Sequence, residues 1–309
     1  MNLNTKTRNP KLGALYALTG AFLFGLNAST SKVIISSGIT AEQVVLFRSA
    51  ATALLAGLVL LVTFRAGFRV RLRELPLLLT FGVVGVGLMQ WAYSQAVAGL
   101  QVGIALLIEY SAIIWVPLVS LVLFRENVRP RIWVAVALVL GGLAVVADTF
   151  GGSVQLSPMG LMYAGLAAAF LTFYFIAGKR VQKTRDTMSA LFYSMLISTL
   201  FWLVAAPWWQ NPVDLVTGIN LGGSLASVTL PTWLLLIWLG IFGSFVPMWL
   251  SYRALHHLNP TGVGIASTAE TVFAFGFGLL WLGESFSALQ LVGGVLVICG
   301  IVLAQTKKS

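Results

Sequence analysis

Long apolar runs separated by short polar connections set the plan of this chain. They fall at about 12–35, 42–64, 75–97, 101–123, 131–148, 158–178, 187–209, 231–252, 260–282 and 286–306. A helix on the surface of a water-soluble domain keeps a polar face at a period of 3.6 residues, and most of these runs have none. Each is close to the roughly 20 residues that a helix needs to cross the hydrocarbon of a bilayer. The pattern predicts an all-α membrane protein with ten transmembrane helices.

Composition agrees with lipid as the main solvent. Charged residues are 9% and hydrophobic residues 58% of the 309, with a mean hydropathy of +0.93. Soluble domains carry about 25% charged residues. The first apolar run outlasts the core of a signal peptide, and no A-x-A-like cleavage site follows it, so it reads as a retained helix. The single cysteine, Cys299, excludes a disulfide framework or a Cys metal cluster and reads as a small buried apolar residue.

The net charge of +10 would suit nucleic acid as a partner, but its distribution excludes that reading. Seventeen of the 19 Lys and Arg sit at the two termini and in alternate connections. They are Lys6, Arg8, Lys11; Arg65, Arg69, Arg71, Arg73; Arg125, Arg129, Arg131; Lys179, Arg180, Lys183, Arg185; Arg253; and Lys307, Lys308. The other connections hold Asp148, Asp214 and Glu284. The positive-inside rule then places both termini in the cytoplasm and requires an even number of spans.

The chain also repeats itself. Adding 147 maps Gly13, Tyr16, Ala17, Ala21 and Lys32 onto Gly160, Tyr163, Ala164, Ala168 and Lys179. Adding 158 maps Gly82, Gly85, Trp91 and Ala96 onto Gly240, Gly243, Trp249 and Ala254, and also Glu126 onto Glu284, with a three-residue slip in between. Gly13, Ala17, Ala21 and Gly25 form a ladder of small residues that Gly160, Ala164, Ala168 and Thr172 repeat. Such ladders let helix backbones approach closely in lipid. The expected units are a five-helix repeat over 12–148 and a second over 158–306. Five is odd, so the second enters the membrane with opposite polarity, a common build of secondary transporters.

Three features then occur together: ten spans as five plus five, an arginine early in the second span (Val45-Leu-Phe-Arg48-Ser-Ala-Ala), and the Gly283-Glu284 turn before a Gly-rich last helix. In these the chain resembles the EamA-type branch of the drug/metabolite transporter superfamily, and within it the YddG-type exporters of aromatic and other amino acids. The resemblance implies a bacterial inner-membrane exporter with a central cavity between two halves.

Four charges fall inside apolar runs: Lys32, Arg48, Glu109 and Glu270. Each costs about 2.5–3.5 kcal/mol at a helix centre on insertion scales, so each needs a partner, water or neutralisation. Glu109 and Glu270 lie near the middle of the fourth spans of the two repeats and are candidates to line the pathway, binding a substrate ammonium or a proton. Arg48 is favoured as a structural pair, and Lys32, like Lys179, as a side chain that snorkels to the membrane face. Aromatic candidates for the pathway are Trp91, Tyr93, Tyr110, Tyr163, Tyr174 and Trp249, with Trp115 and Tyr252 in the same set. Trp208, Trp209 and Trp233 fit an interfacial belt. Asn27, Ser29, Gln90, Ser244 and Thr268 are polar positions inside spans, where an unmet hydrogen-bonding group is costly. Pro117 and Pro247 interrupt the fourth and eighth spans, and with Gly262, Gly264, Gly276 and Gly278 they are candidate hinges.

A secondary transporter of small organic solutes, amino acids foremost, follows from these observations; a drug or other metabolite exporter is the alternative. No Walker-type phosphate loop is present to drive ATP-powered pumping. A proton is the candidate coupling ion, and no cofactor or metal is implied. A membrane enzyme is disfavoured because His256 and His257 are adjacent and point apart, with no H-E-x-x-H or G-x-S-x-G pattern. A channel is disfavoured by the inverted repeat.

Overall fold

A computed structural model describes residues 9–124, 130–146, 157–206, 209, 212–258, 263 and 266–305. Lys6, Arg8, Arg125, Glu126, Arg129, Asp148, Trp208, Gly262, Gly264, Lys307 and Lys308 lie outside the described residues. The chain is mostly helical. The helices are α1 (Pro10–Ser36), α2 (Ala41–Thr63), α3 (Leu72–Gly99), α4 (Val102–Tyr110), α5 (Ala112–Phe124), α6 (Pro130–Val146), α7 (Pro158–Thr184), α8 (Thr187–Ala205), α9 (Thr232–His257), α10 (Ala269–Leu280) and α11 (Ala288–Gln305). Among the described residues eight segments are long and apolar enough to cross a bilayer, one of them running from α4 into α5 through a turn at Ser111. Two more helices, α6 and α10, are apolar but shorter, at 17 and 12 residues.

The helix starts follow local chemistry. Asn9 and Ser157 cap α1 and α7, accepting from Leu12 N–H and Gly160 N–H, and each is followed by proline at the first helical position. Proline is pre-set for that position, where its missing N–H would have no partner anyway. Thr40 and Gln43 form a reciprocal capping box at α2, and Asp186 caps α8. A purely helical architecture is corrected in one place: Gly218–Asn220 (β1) and Thr229–Pro231 (β2) pair antiparallel in a small hairpin before α9.

The connections sort to two ends. Arg185 binds Glu74 at 2.9 Å and the Gly67 and Arg69 carbonyls, so the α2–α3 and α7–α8 connections share the basic end. Lys32, Leu100 and Glu284 meet at the other end, where Trp281 also donates to the Leu221 carbonyl beside the hairpin.

Helix packing is reciprocal between halves. α1 packs on α9 and α10, while α7 packs on α3 and α4; α2 packs on α8, and α6 on α11. The small-residue ladders lie in these contacts. A Cβ at Gly13 would stand 2.7 Å from Leu258 Cγ, and one at Gly160 would stand 2.7 Å from Leu100 Cγ. Leu100 and Leu258 are themselves 158 apart, the offset read from the sequence. Gly142 of α6 and Gly293 of α11 face each other so closely that a Cβ on either would meet the other's carbonyl at 2.7 Å. In lipid, where apolar helix surfaces gain nothing by leaving their solvent, such close packing supplies the association energy.

Two segments depart from α-helical winding. Phe81–Leu88 within α3 and Ile241–Phe245 within α9 are π-helical, again about 158 apart. A π turn shifts the hydrogen-bond ladder and exposes carbonyls to other donors. Here Trp202 of α8 donates to the Gly87 carbonyl at 3.2 Å, and Arg48 of α2 donates to the Gly243 carbonyl at 3.3 Å. Each half thus sends a side chain from its second helix into the distorted third helix of the other.

The breaks in helical winding do not fall at the candidate hinge prolines. The fourth span breaks at Ser111, not at Pro117, which lies inside α5; in α9 the distortion is the π segment ahead of Pro247. Cys299 is exposed on α11, not buried. A thiol is apolar enough to face hydrocarbon without cover.

Ala17 is 3% exposed and packs with Ala254 and Val263. Ala17→Leu is expected to destabilise the fold by about 1–3 kcal/mol through overpacking, read as a lower melting temperature of detergent-purified protein; an unchanged melting curve would contradict the ladder.

Candidate functional site

A cavity of about 230 Å³ lies between the halves. Its polar lining is Asn27, Arg48, Gln90, Tyr93, Glu109, Tyr110, Tyr174 and Glu270, with Tyr252, Gln182 and Ser194. Phe24, Phe81 and Phe175 add aromatic wall. Both halves contribute, and the lining continues through Gly178, Val181, Gln182 and Ala190, which flank the basic end of α7 and α8.

Local structure explains how the charges reach it. Glu109 stands two residues before the Ser111 turn, and Glu270 two residues after a turn at Thr268. Broken spans bring helix ends and unpaired backbone groups to the midplane, which is tolerable only beside protein or a cavity. Glu270 is 9% exposed and accepts from the Tyr110 hydroxyl at 2.6 Å across the two halves. Glu109 is 7% exposed and makes no side-chain hydrogen bond among the described residues.

Arg48 is 6% exposed. Its Nε donates to Ser244 Oγ and its Nη2 to the Gly243 carbonyl, both neutral acceptors. It belongs to neither ion pair of the described residues, and its Nη1 makes no hydrogen bond there. The expected structural pairing of Arg48 is therefore half of the picture: its α9 partners hold it, and its free edge lines the cavity.

Several expected pathway residues lie elsewhere. Trp91 donates to Glu42 Oε1 at 2.6 Å and packs edge-on against Tyr163, with ring centroids 5.4 Å apart; neither lines the cavity. Trp249 is 38% exposed and lies under the Arg253 guanidinium. Trp115 is exposed and donates to Ser111 Oγ at 3.3 Å. Ser244 acts through Arg48, and Thr268 is buried at the α10 turn without lining the cavity. Lys32 does not snorkel: it binds Glu284 at 2.6 Å. Trp209 and Trp233 are exposed. Phe24, Phe81, Met89, Phe175 and Met248 were not singled out by sequence, because an apolar cavity wall has the same composition as a lipid-facing one.

The chain matches the EamA-like transporter family twice, over residues 11–147 and 158–306. It belongs to that family. Similar proteins include the pseudopaline exporter CntI of Pseudomonas aeruginosa strain PAO1, 30% identical over 303 residues, covering 97% of this chain and 98% of that protein. A probable amino-acid metabolite efflux pump of Salmonella typhimurium is 26% identical, covering 80% of this chain and 83% of that one. The chloroplastic triose phosphate/phosphate translocator of Flaveria trinervia is 21% identical, covering 60% of this chain and 44% of that protein. A crystal structure of a protein with 18% identity superimposes with a TM-score of 0.62, covering 94% of this chain and 96% of the other, which speaks to the fold alone. This EamA protein is a multi-pass membrane transporter of small solutes, and family and relatives point to transport, not enzymatic conversion.

The geometry separates two groups of aromatic residues. Trp91→Phe is expected to leave the apparent affinity for an exported solute unchanged, because Trp91 serves Glu42 and Tyr163. Tyr174→Ala, which opens the cavity wall, is expected to weaken it. Dose–response curves for solute uptake into inverted vesicles check both; equal losses would contradict the assignment.

Proposed function

We propose that this chain exports small amino-acid-like solutes, aromatic ones included, across a bacterial inner membrane, by alternating access between two inverted five-helix repeats, 12–148 and 158–306. In this reading ten helices cross the membrane and both termini are cytoplasmic. The carrying observation is that one cavity has the free edge of Arg48, the carboxyls of Glu109 and Glu270, and aromatic walls. A guanidinium edge suits a carboxylate, a carboxylate suits an ammonium, and an apolar wall suits a side chain. A zwitterion offers all three.

Supporting the topology, the described basic connections cluster at one end, which the positive-inside rule assigns to the cytoplasm. Reciprocal packing and matched π segments support the repeat. The relatives named as an exporter of pseudopaline and an amino-acid metabolite pump support amino-acid-derived cargo. A phosphate ester, the cargo named for the translocator, fits this cavity poorly: among the described residues Arg48 is the one cation in its lining, against two carboxyls. A proton exchanging with solute at Glu109 or Glu270 is the proposed coupling ion, with no cofactor or metal.

The test is counterflow in proteoliposomes across a panel of amino acids, with and without a pH gradient. Saturable exchange with an amino acid is the expected result; conversion of the solute, or non-saturable flux, would overturn it. Glu270→Gln is expected to fold normally and to lose the pH dependence of transport. A folded variant with wild-type flux at every pH would remove Glu270 from the mechanism.

A further inference from the structure

Helix α1 passes two cavities. Phe24 and Asn27 line the charged cavity; farther along, Lys32, Val33 and Ser36 line a second of about 450 Å³, together with Asn220 of the hairpin and Glu284. No residue lines both. From Asn27 to Lys32 is about 7 Å of helix at 1.5 Å per residue. Along α1 the partition between the cavities is about one and a half turns long.

Polar atoms without partners begin at the charged cavity and continue one turn beyond it. Asn27 Oδ1 and Ser31 Oγ, four residues apart on one face of α1, are buried and make no hydrogen bond; the same holds for Gln90 Oε1 and Ser94 Oγ on one face of α3, which packs on α1. Buried polar groups left unpaired are costly; Asn27 and Gln90 line the charged cavity, and Ser31 and Ser94 stand one turn beyond them on the same helices.

A polar knot seals its far side. Lys32 Nζ donates to Glu284 Oε1 at 2.6 Å and to the Leu100 carbonyl at 2.7 Å, and Val102 N–H donates to both Glu284 oxygens at 3.2 and 3.1 Å. Gly283, at φ +68°, turns the chain so that Glu284 points inward. One ion pair thus ties α1, the α3–α4 connection and the α10–α11 turn, from both halves. Its repeat counterpart behaves oppositely: Lys179, offset by 147, is exposed at the basic end and is in no ion pair of the described residues. Among the described residues the two copies of one lysine differ, one paired and one exposed, the asymmetry expected of a carrier shut at one end.

We infer that the Lys32–Glu284 pair is the latch on the exit path between the charged cavity and the hairpin-side vestibule, and that it parts once in each transport cycle. The inference rests on the alternating-access reading above. The test uses the full chain with Cys299→Ser and Ser31→Cys, in sealed vesicles, with a membrane-impermeant maleimide added to the hairpin face, which Asn220→Cys identifies in a parallel sample. With the latch intact, Ser31→Cys labels slowly. Lys32→Gln and Glu284→Gln should each raise the labelling rate about tenfold or more, since removing one partner of a mostly buried pair leaves the other uncompensated. The exchanged pair, Lys32→Glu with Glu284→Lys, should restore protection only in part, since an ammonium at position 284 cannot accept from Val102 N–H and a carboxylate at position 32 cannot donate to the Leu100 carbonyl. Monodisperse single variants that label as slowly as the intact latch would overturn the inference. So would single variants that only aggregate while the exchanged pair folds and stays protected, which would make the pair a contact that merely holds the fold. Labelling reads no solute, so a wrong cargo assignment leaves this result standing.

Discussion

Hydrocarbon returns no hydrogen bond to a polar atom that enters it. Every backbone group and polar side chain inside the membrane must therefore find its partner within the protein or in trapped water. The long helices satisfy the backbone. Where α3 and α9 wind as π helices, carbonyls at Gly87 and Gly243 are met by Trp202 and Arg48 from the opposite half. Ser49 and Ser198, in the paired second helices, meet each other at 3.0 Å. The unmatched atoms of α1 and α3 lie beside the cavity and the partition beyond it. Along α1, polar groups run in one line from Asn27 at the charged cavity to Lys32 at the second cavity.

The reciprocal packing gives that line a way to move. If α1 on α9 and α10 is the same contact as α7 on α3 and α4, then exchanging the two arrangements costs little, because what one half gains the other gives up. Bistable packing of this kind converts a small local change into a change of access. Close approaches such as Gly142 against Gly293 sit on the line where each half meets its own counterpart, and they can stay fixed while the flanking helices trade places. Lys32 and Lys179 break the equivalence, as the proposed alternating access requires of any one state.

The spans were legible because lipid imposes a length and a composition on them: most predicted runs lie within a few residues of the observed helices, and the ladders reach the contacts that small residues permit. Less was legible in the site. Glu109, Glu270, Tyr110, Asn27 and Gln90 line the cavity because a polar group in a span needs a wet or paired place, and that need is visible in sequence. Trp91 broke the pattern, since a partner 49 positions away, Glu42, met its N–H. Lys32 broke it too, since snorkelling and a long-range ion pair to Glu284 begin from the same residue at the same helix end. The Ser111 break carried no proline or glycine to announce it. The β-hairpin is only six paired residues in a polar connection, too short for a period of two to stand out.

Arg48 decides how far cargo can be argued from geometry. A cation buried for structure alone would be expected to close on a carboxylate, and two carboxyls line the same cavity. Instead it is held from behind by a hydroxyl and a carbonyl, acceptors that orient a guanidinium without neutralising it. Glu270 is likewise oriented by a hydroxyl, that of Tyr110. Opposite charges kept near one another but not joined are a strained arrangement for an empty cavity and a favourable one for a ligand that carries both complements. On the proposed reading, the variety of cargo named among the relatives falls to wall residues such as Phe24, Phe175 and Met248, because Arg48 and the Tyr110–Glu270 bond also tie the two halves together and are not free to change with the cargo.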